Sequence, residues 1–197
     1  MMVTAGERWP PVYDLDDLVA EIKRLTDDEN LERNFFEWRL DRSTLRHDDI
    51  CQGDVLHLSS EVPVILQDGQ PATVAHPEGF WLVIGNTCDF DRTIDEARWT
   101  QLVPIASLGS VAGLTSTQVS AARRYTQARR FYIPPWSHAA ESDLHVADLL
   151  MPVAIDKRAL NGAERAATLQ ARLSRPAWIL LNACLVRFLA RDDGRYD

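Results

Sequence analysis

Four short runs of apolar and β-branched residues follow one another between residues 53 and 105, separated by glycine, proline, aspartate and asparagine. Each run is five or six residues long, which is the length of an ordinary strand. Because the runs are short, sequential and divided by turn residues, we expect antiparallel neighbours in a small barrel or meander. The predicted strands are Gly53–Leu58, Val62–Leu66, Phe80–Ile84 and Thr100–Ile105.

One turn signal predicts a pairing within this region. Asp68–Gly69 is typical of a tight hairpin, so Val62–Leu66 is expected to pair with residues 72–75. Two later strands are predicted at Phe131–Pro135 and Leu149–Ile155, where the prolines indicate strand ends or sheet edges.

The strand that follows Gly79 also predicts which side chains share a face. Successive side chains of a strand point to opposite faces. We therefore expect Leu82 and Ile84 on one face, and Trp81 and Val83 on the other.

Helical periodicity flanks the strand-rich region on both sides. Apolar residues recur at spacings of three and four within Leu15–Trp38, with a break predicted at Asp27–Asp28. The C-terminal part predicts helices at Leu160–Leu173 and Ala177–Leu189, broken around Pro176.

These elements predict an α+β protein that forms one globular unit. Residues 1–49 form an N-terminal helical cap, residues 50–156 a small antiparallel β-barrel, and residues 157–197 C-terminal helices packed on the barrel. The chain has no apolar run long enough to cross a bilayer and its N-terminus has no signal-peptide character, so we expect a cytoplasmic protein without membrane contact.

The cysteines and charges narrow the classes of function. Cys51, Cys88 and Cys184 are odd in number and widely spaced, which argues against a disulfide framework and a structural metal site; no cofactor is predicted. Residues 1–50, 51–117 and 118–197 carry net charges of −6, −6 and +4. The acidic balance disfavours indiscriminate nucleic-acid binding, but the basic C-terminal part is compatible with local phosphate contacts or with pairing to the acidic parts.

Three segments carry a resemblance to a known family. They are Gln52–Val55 opening a strand, the apolar strand Trp81–Ile84 with polar residues after it, and Leu102–Ile105. Together they resemble the opening of a MazF/PemK-like toxin barrel over residues 50–110, and the TCD sequence after an apolar strand also resembles uncharacterised bacterial proteins. The resemblance implies an SH3-like barrel from a toxin–antitoxin, bacterial defence or mobile-element setting, in a family whose active members cleave RNA.

The chain departs from that family at its catalytic motif. Members usually carry an Arg-Pro pair before the second long strand, where this chain has Pro77–Phe80, and only Ser107 matches the Thr or Ser expected after the proline-containing strand. The resemblance therefore implies the barrel, whereas the arginine that serves RNA cleavage in active members is missing from this motif.

The first candidate site is the polar cluster at the end of the strand Phe80–Ile84. Asn86 and Thr87 are expected to hold a turn, while Cys88 and Asp89 line a shallow pocket with Asp54 nearby. Cys88 is a catalytic candidate if a histidine supplies the base, and Asp89 with Asp91 is an acid–base or divalent-cation candidate. The alternative is a self-capped turn, because Asn, Thr and Asp bond readily to nearby backbone.

The second candidate site lies between residues 121 and 132, which are also consistent with an amphipathic helix. Arg123, Arg124, Arg129 and Arg130 stand among aromatic residues, a combination that serves phosphate contact and base stacking in single-stranded RNA binding. The alternative is that the arginines pair with acidic residues. Asp143 and Asp148 are expected in turns or helix starts.

Three classes of function follow from these residues. The first is a toxin-like or defence-associated barrel protein that is non-catalytic or degenerate and binds RNA or a protein partner. The second is an enzyme centred on Cys88 or on Asp89 and Asp91, and the third is a pure protein-interaction adaptor. The sequence does not distinguish oligomeric states.

Overall fold

The computed structural model describes residues 15–37, 50–58, 61–65, 70–75, 79–136, 143–157, 160 and 167–190, with the backbone alone for residues 15, 61–65, 71–75, 110–111 and 167–168. The helices are α1 Leu15–Thr26, α2 Thr87–Asp91, α3 Ser116–Arg123 and α4 Arg175–Leu189. The strands are β1 Asp54–Leu58, β2 Glu61–Ile65, β3 Pro71–Ala75, β4 Gly79–Val83, β5 Trp99–Ser110, β6 Arg130–Ile133, β7 Asp143–Asp148, β8 Val153–Asp156 and β9 Ala167–Arg172.

A curled antiparallel sheet forms a half-barrel in the order β6-β7-β5-β4-β1-β9, with β8 also paired to β5. The hairpin β2–β3 is a separate two-stranded sheet in which Val62 lies opposite Val74. The α+β class, the hairpin pairing and the antiparallel order of β1, β4 and β5 are therefore confirmed. The predicted turn Asp68–Gly69 lies outside the described residues.

β7 and β8 lie along the same edge of the long strand β5. β8 pairs with residues 99–102 and β7 with residues 105–110, and a turn separates the two strands. The prediction of one strand from Leu149 to Ile155 was thus wrong in its first half, since Asp148 accepts a bond from the Leu150 amide and Pro152 has no N–H for the ladder. The placement of Asp143 and Asp148 in turns or helix starts was also wrong, because they are the ends of β7.

The sheet carries a hydrophobic core on each face. Leu82 belongs to the first core, which α1 and α4 cover, and Ile84 packs against it. Trp81 and Val83 belong to the second core, with Phe90 of α2. The predicted alternation along this strand is confirmed, and it places both sides of β4 in apolar surroundings.

The outer helices are partly as predicted. α1 carries Asp16 and Asp17 in its first turn and Lys23 and Arg24 in its last, the charge order that stabilises a helix dipole. The second helix predicted after Asp28 is wrong: residues 27–34 form turns, because Asp28 Oδ1 accepts the Asn30 amide at 2.9 Å. No helix among the described residues has the length and apolar character needed to cross a membrane.

The sheet continues beyond the boundary predicted at residue 156. Residues 167–172 of the predicted helix Leu160–Leu173 form β9, which pairs with β1. A bulge between Val55 and Leu56 puts Ala171 against the first core while Leu169 packs on the second. The bulge removes the alternation by which a strand is recognised in sequence, and the predicted helix was therefore wrong here.

We expect Gly85→Ala to destabilise the protein by about 1–3 kcal/mol through overpacking. A Cβ at residue 85 would lie 2.1 Å from Thr100 Oγ1 and 3.0 Å from the Gln101 amide nitrogen. Thr100 Oγ1 is buried and has no hydrogen-bond partner among the described residues, so Thr100→Ala relieves the clash without breaking a bond seen in the structure. Urea unfolding should show a smaller loss for Gly85→Ala in the Thr100→Ala background; equal losses would contradict the clash.

Lowering the pH should reduce the free energy of unfolding through protonation of His145 in β7. The ring is buried against Trp136 with centroids 5.1 Å apart, and burial lowers the pKa of His145 below 6.5 although Asp143 opposes this. The unfolded chain then binds the proton more readily, so stability falls as pH drops below about 6.5, by about 1.4 kcal/mol per unit of lowered pKa. Urea unfolding at pH 8 and pH 5 should show a smaller difference for His145→Phe; an unchanged difference would contradict this role.

Candidate functional site

Asp54 does not line a pocket with the residues that follow β4. Its side chain is 0% exposed, and it accepts bonds from Arg172 Nε at 2.7 Å and Nη2 at 2.9 Å. The Cys51 amide donates a third bond to Asp54 Oδ2 at 2.9 Å. Burial raises the pKa of Asp54 while the Arg172 hydrogen bonds oppose it, and those bonds raise the pKa of Arg172. The prediction that Asp54 lines a pocket was therefore wrong: its carboxylate joins β1 to β9 through the ion pair with Arg172.

The residues after β4 form the short helix α2 in place of the predicted turn. Asn86 is its N-cap, and Asn86 Oδ1 accepts the Cys88 amide at 3.0 Å. Thr87 Oγ1 accepts the Gln52 amide at 3.0 Å, and Gln52 Oε1 accepts Trp178 Nε1 of α4 at 3.0 Å. Asn86 thus caps α2 locally, while Thr87 joins it through Gln52, just before β1, to α4.

The other end of α2 is held by a buried lysine. Lys157 is 2% exposed, and its Nζ donates to the carbonyl oxygens of Asp89 at 2.5 Å and Arg92 at 3.2 Å. A cation at a helix C-terminus is favourable, so Lys157 stabilises the end of α2. The Asp89 carboxylate lies 3.5 Å from Arg92 Nη1, and Asp91 is exposed. Across the described ranges no three His, Cys, Asp or Glu side chains are grouped to hold a metal ion.

The three cysteines lie in different surroundings. Burial raises the pKa of Cys184 to about 12 and also raises that of Cys51, so both thiols are protonated at neutral pH. Cys88 is exposed on α2. A nucleophilic thiol needs a stabilising cation or a base beside it. The hydrogen bonds around α2, described above, give the residues beside Cys88 structural roles.

Of the four arginines of the second candidate site, two line a common groove and the other two do not. Residues 121–132 do not form the single helix considered as an alternative, because α3 ends at Arg123 and β6 begins at Arg130. Arg129 pairs with Asp148 through Nη2 at 2.5 Å and Nε at 2.9 Å, which raises the pKa of Arg129. Arg130 Nη1 donates to Gln127 Oε1 at 3.3 Å.

Arg123 and Arg124 line a groove of about 660 Å³ that we call the α1–α3 groove. It lies between the turns after α1 and the outer face of α3. Its lining comprises Thr26, Asp28, Glu29, Leu31, Glu32, Leu114, Ser116, Val119, Ser120, Arg123, Arg124, Tyr125 and Tyr132.

The groove has walls of opposite charge. Asp28, Glu29 and Glu32 line the α1 side, and Arg123 and Arg124 line the α3 side. Glu32 Oε1 lies 3.5 Å from Arg123 Nε, and the Arg123 guanidinium carbon lies 6.0 Å from the centre of the Tyr132 ring. Burial, and after it the Glu32 carboxylate, raise the pKa of Tyr132. The predicted pairing of arginines with the acidic N-terminal part is thus found for Arg123.

Tyr125 fixes the end of α3 at the floor of the groove. Its φ of 53° is a left-handed conformation that favours glycine. The amides of Tyr125 and Thr126 bond back to the carbonyls of Ala122 and Ala121, which closes the helix end. Tyr125 is 2% exposed, its hydroxyl donates to the Tyr132 carbonyl at 3.0 Å, and Arg187 of α4 donates to its carbonyl. These buried contacts stabilise a conformation that costs about 1–2 kcal/mol for a side chain with Cβ.

Sequence reasoning identified the basic wall of the groove but missed the acidic wall. The opposite net charges of the N-terminal and C-terminal parts were a signal, and they predicted that such parts can face each other. They did not identify Asp28, Glu29 and Glu32, because the segment after α1 was predicted to be helical.

The chain was compared with known families and proteins. No family model matches it, and no curated protein sequence is significantly similar to it.

Proposed function

We propose that the protein is a non-catalytic binding protein that holds a short segment of a protein partner in the α1–α3 groove. The observation that carries this proposal is the groove itself, where opposed acidic and basic walls stand above a tyrosine floor. A peptide segment carries charges of both signs beside apolar groups, and aromatic floors with adjacent arginines are favourable for such contacts.

A protein segment fits this groove better than single-stranded RNA. Three carboxylates line one wall, and they would repel a phosphate backbone. Arg129 is engaged by Asp148, so a continuous row of arginines for successive phosphates is not formed. RNA binding nevertheless remains a distinct outcome of the test below.

The proposal includes the setting that the family resemblance implies. In it, the half-barrel is a degenerate SH3-like barrel of the MazF/PemK kind, and the partner belongs to a toxin–antitoxin or defence system. The antiparallel neighbours β1, β4 and β5 support this, since they carry the three matching segments. The gene neighbourhood tests the setting: genes of unrelated housekeeping pathways beside it would argue against it.

We expect peptides selected from a random display library to bind through the groove. Arg123→Met and Glu32→Gln should each weaken the selected peptides about tenfold or more, because each change leaves a charged partner unpaired. Arg130→Met is the matched control outside the groove and should change affinity less than twofold. Fluorescence anisotropy on labelled peptides measures all three.

Two results would contradict this function. One is a set of selected peptides whose affinity is indifferent to Arg123→Met and Glu32→Gln. The other is tight binding of a random single-stranded RNA that weakens with salt at a log–log slope of about −0.7 per phosphate contact.

A further inference from the structure

A second, shallower cavity of about 440 Å³ adjoins the α1–α3 groove. The two share Ser116, Ser120 and Arg124, and Thr117, Ala121 and Thr126 complete the second lining. The described residues around this cavity include no carboxylate, whereas three carboxylates line the groove. We call it the hydroxyl cavity.

The polar groups of the hydroxyl cavity are aligned and available. Ser116, Ser120 and Arg124 are spaced four residues apart, which puts them on one side of α3 and its C-cap. Within the described part of the chain, the two serine hydroxyls have no hydrogen-bond partner. The nitrogens of the Arg124 side chain have none there either. By contrast, Arg123 and Arg129 are each paired with a carboxylate, and Thr126 Oγ1 donates to the Ala121 carbonyl at 3.0 Å.

We propose that the hydroxyl cavity is a subsite for a carboxylate, carried by an acidic residue of the segment that occupies the groove. The planar guanidinium of Arg124 presents paired N–H donors that match a carboxylate, and the hydroxyls of Ser116 and Ser120 add donors along the same side. This inference rests on the proposed function and names the chemistry of one end of the ligand.

The charge of the site favours a carboxylate over a phosphate monoester. Arg124 supplies one positive charge, which a single carboxylate balances. A phosphate dianion would leave an uncompensated negative charge close to Asp28, Glu29 and Glu32, in a protein whose net charge is −8. The acidic wall of the groove is correspondingly suited to a basic residue of the same segment.

The test uses small probes, so that it does not depend on a known partner. N-acetylglutamate methylamide is titrated into the intact protein, with N-acetylglutamine methylamide as its uncharged match, and backbone amide signals of α3 are followed by NMR. We expect saturable shifts at Ser120 and Arg124 for the glutamate probe, and at least tenfold weaker binding for the glutamine probe or for Arg124→Met, since hydrogen bonds to charged groups are the stronger ones. Arg130→Met should bind as the wild type does.

Each other outcome overturns the carboxylate subsite. Absence of saturable shifts, equal binding of both probes, or full binding by Arg124→Met would do so, and tighter binding of N-acetylphosphoserine methylamide would reassign the site to phosphate. Failure of the proposed function gives a different pair of results from failure of the subsite. In that case the glutamate probe binds, but no selected peptide loses affinity with Arg123→Met. If instead the peptides lose affinity with Arg123→Met but not with Arg124→Met, the subsite alone is contradicted.

Discussion

Arg172→Met should lower the free energy of unfolding by about 3–5 kcal/mol, because it leaves a buried charge without its partner. The Asp54 carboxylate is 0% exposed, and two of its three hydrogen bonds come from Arg172. The pair joins β1 to β9, the edge strand that leads into α4. Its loss therefore weakens this edge of the sheet. Urea unfolding at neutral pH measures the effect, which is a large part of the 5–15 kcal/mol by which domains are usually stable.

The double variant Asp54→Leu/Arg172→Met separates a lost ion pair from a general disruption of β9. Replacing both charges with apolar side chains removes the buried carboxylate as well, and such replacements are often close to neutral. The Cys51 amide also loses its bond to the carboxylate, at about 1 kcal/mol. We expect the double variant to be more stable than Arg172→Met; an equal or greater loss would show that the ion pair is not the cause.

Trp81→Ala should cost about 3–5 kcal/mol, the usual range for removing a large buried aromatic side chain. Trp81 is 2% exposed and is the largest residue of the second core, between Leu56 of β1 and Pro104 of β5 in register. Removing it leaves a cavity that the paired strands on both sides cannot close. Thermal or urea unfolding gives the value.

Trp99→Ala is the matched control for that change. Trp99 begins β5 and is half-buried, with Arg98 stacked 4.9 Å from its ring centre. We expect it to lose less than half of what Trp81→Ala loses. Comparable losses would mean that the second core is less closely packed than its burial indicates.

The strands that could be predicted are those whose two faces differ or whose turns are explicit. β1, β4 and β5 show short apolar runs between turn residues, and the alternation in β4 predicted which of its side chains share a face. β9 could not be predicted, because its pairing partner lies more than 100 residues away in β1 and its bulge removes the alternation. β7 is buried on both faces between two aspartates, and those aspartates were read as turns.

One helix end was predicted and another was not. The break expected at Asp27–Asp28 agrees with the end of α1 at Thr26. The residues after Asp28 keep a helical spacing of apolar side chains, but they form turns in which Asp28 bonds to Asn30. α3 ends at Arg123, and Tyr125 two residues further on lies in the left-handed region, a conformation for which sequence patterns favour glycine. Only the buried contacts of Tyr125 with Tyr132 and Arg187 explain it.

The candidate site was predictable where its contacts are local. Asn86 was expected to bond to backbone two residues on, and it caps α2 in that way. Contacts between distant segments could not be predicted from the sequence. Arg172 binds Asp54 across 118 residues and keeps it out of the expected pocket, and Glu32 near the N-terminus pairs with Arg123 in the middle of the chain.

The most direct test of the groove as the binding site is a map of amide shifts on addition of a selected peptide. We expect the largest shifts in Ser116–Arg123, at residues 28–32 and at Tyr132, with little change in Thr87–Asp91. A map centred on Thr87–Asp91, around Cys88, would contradict the account and return function to the end of β4.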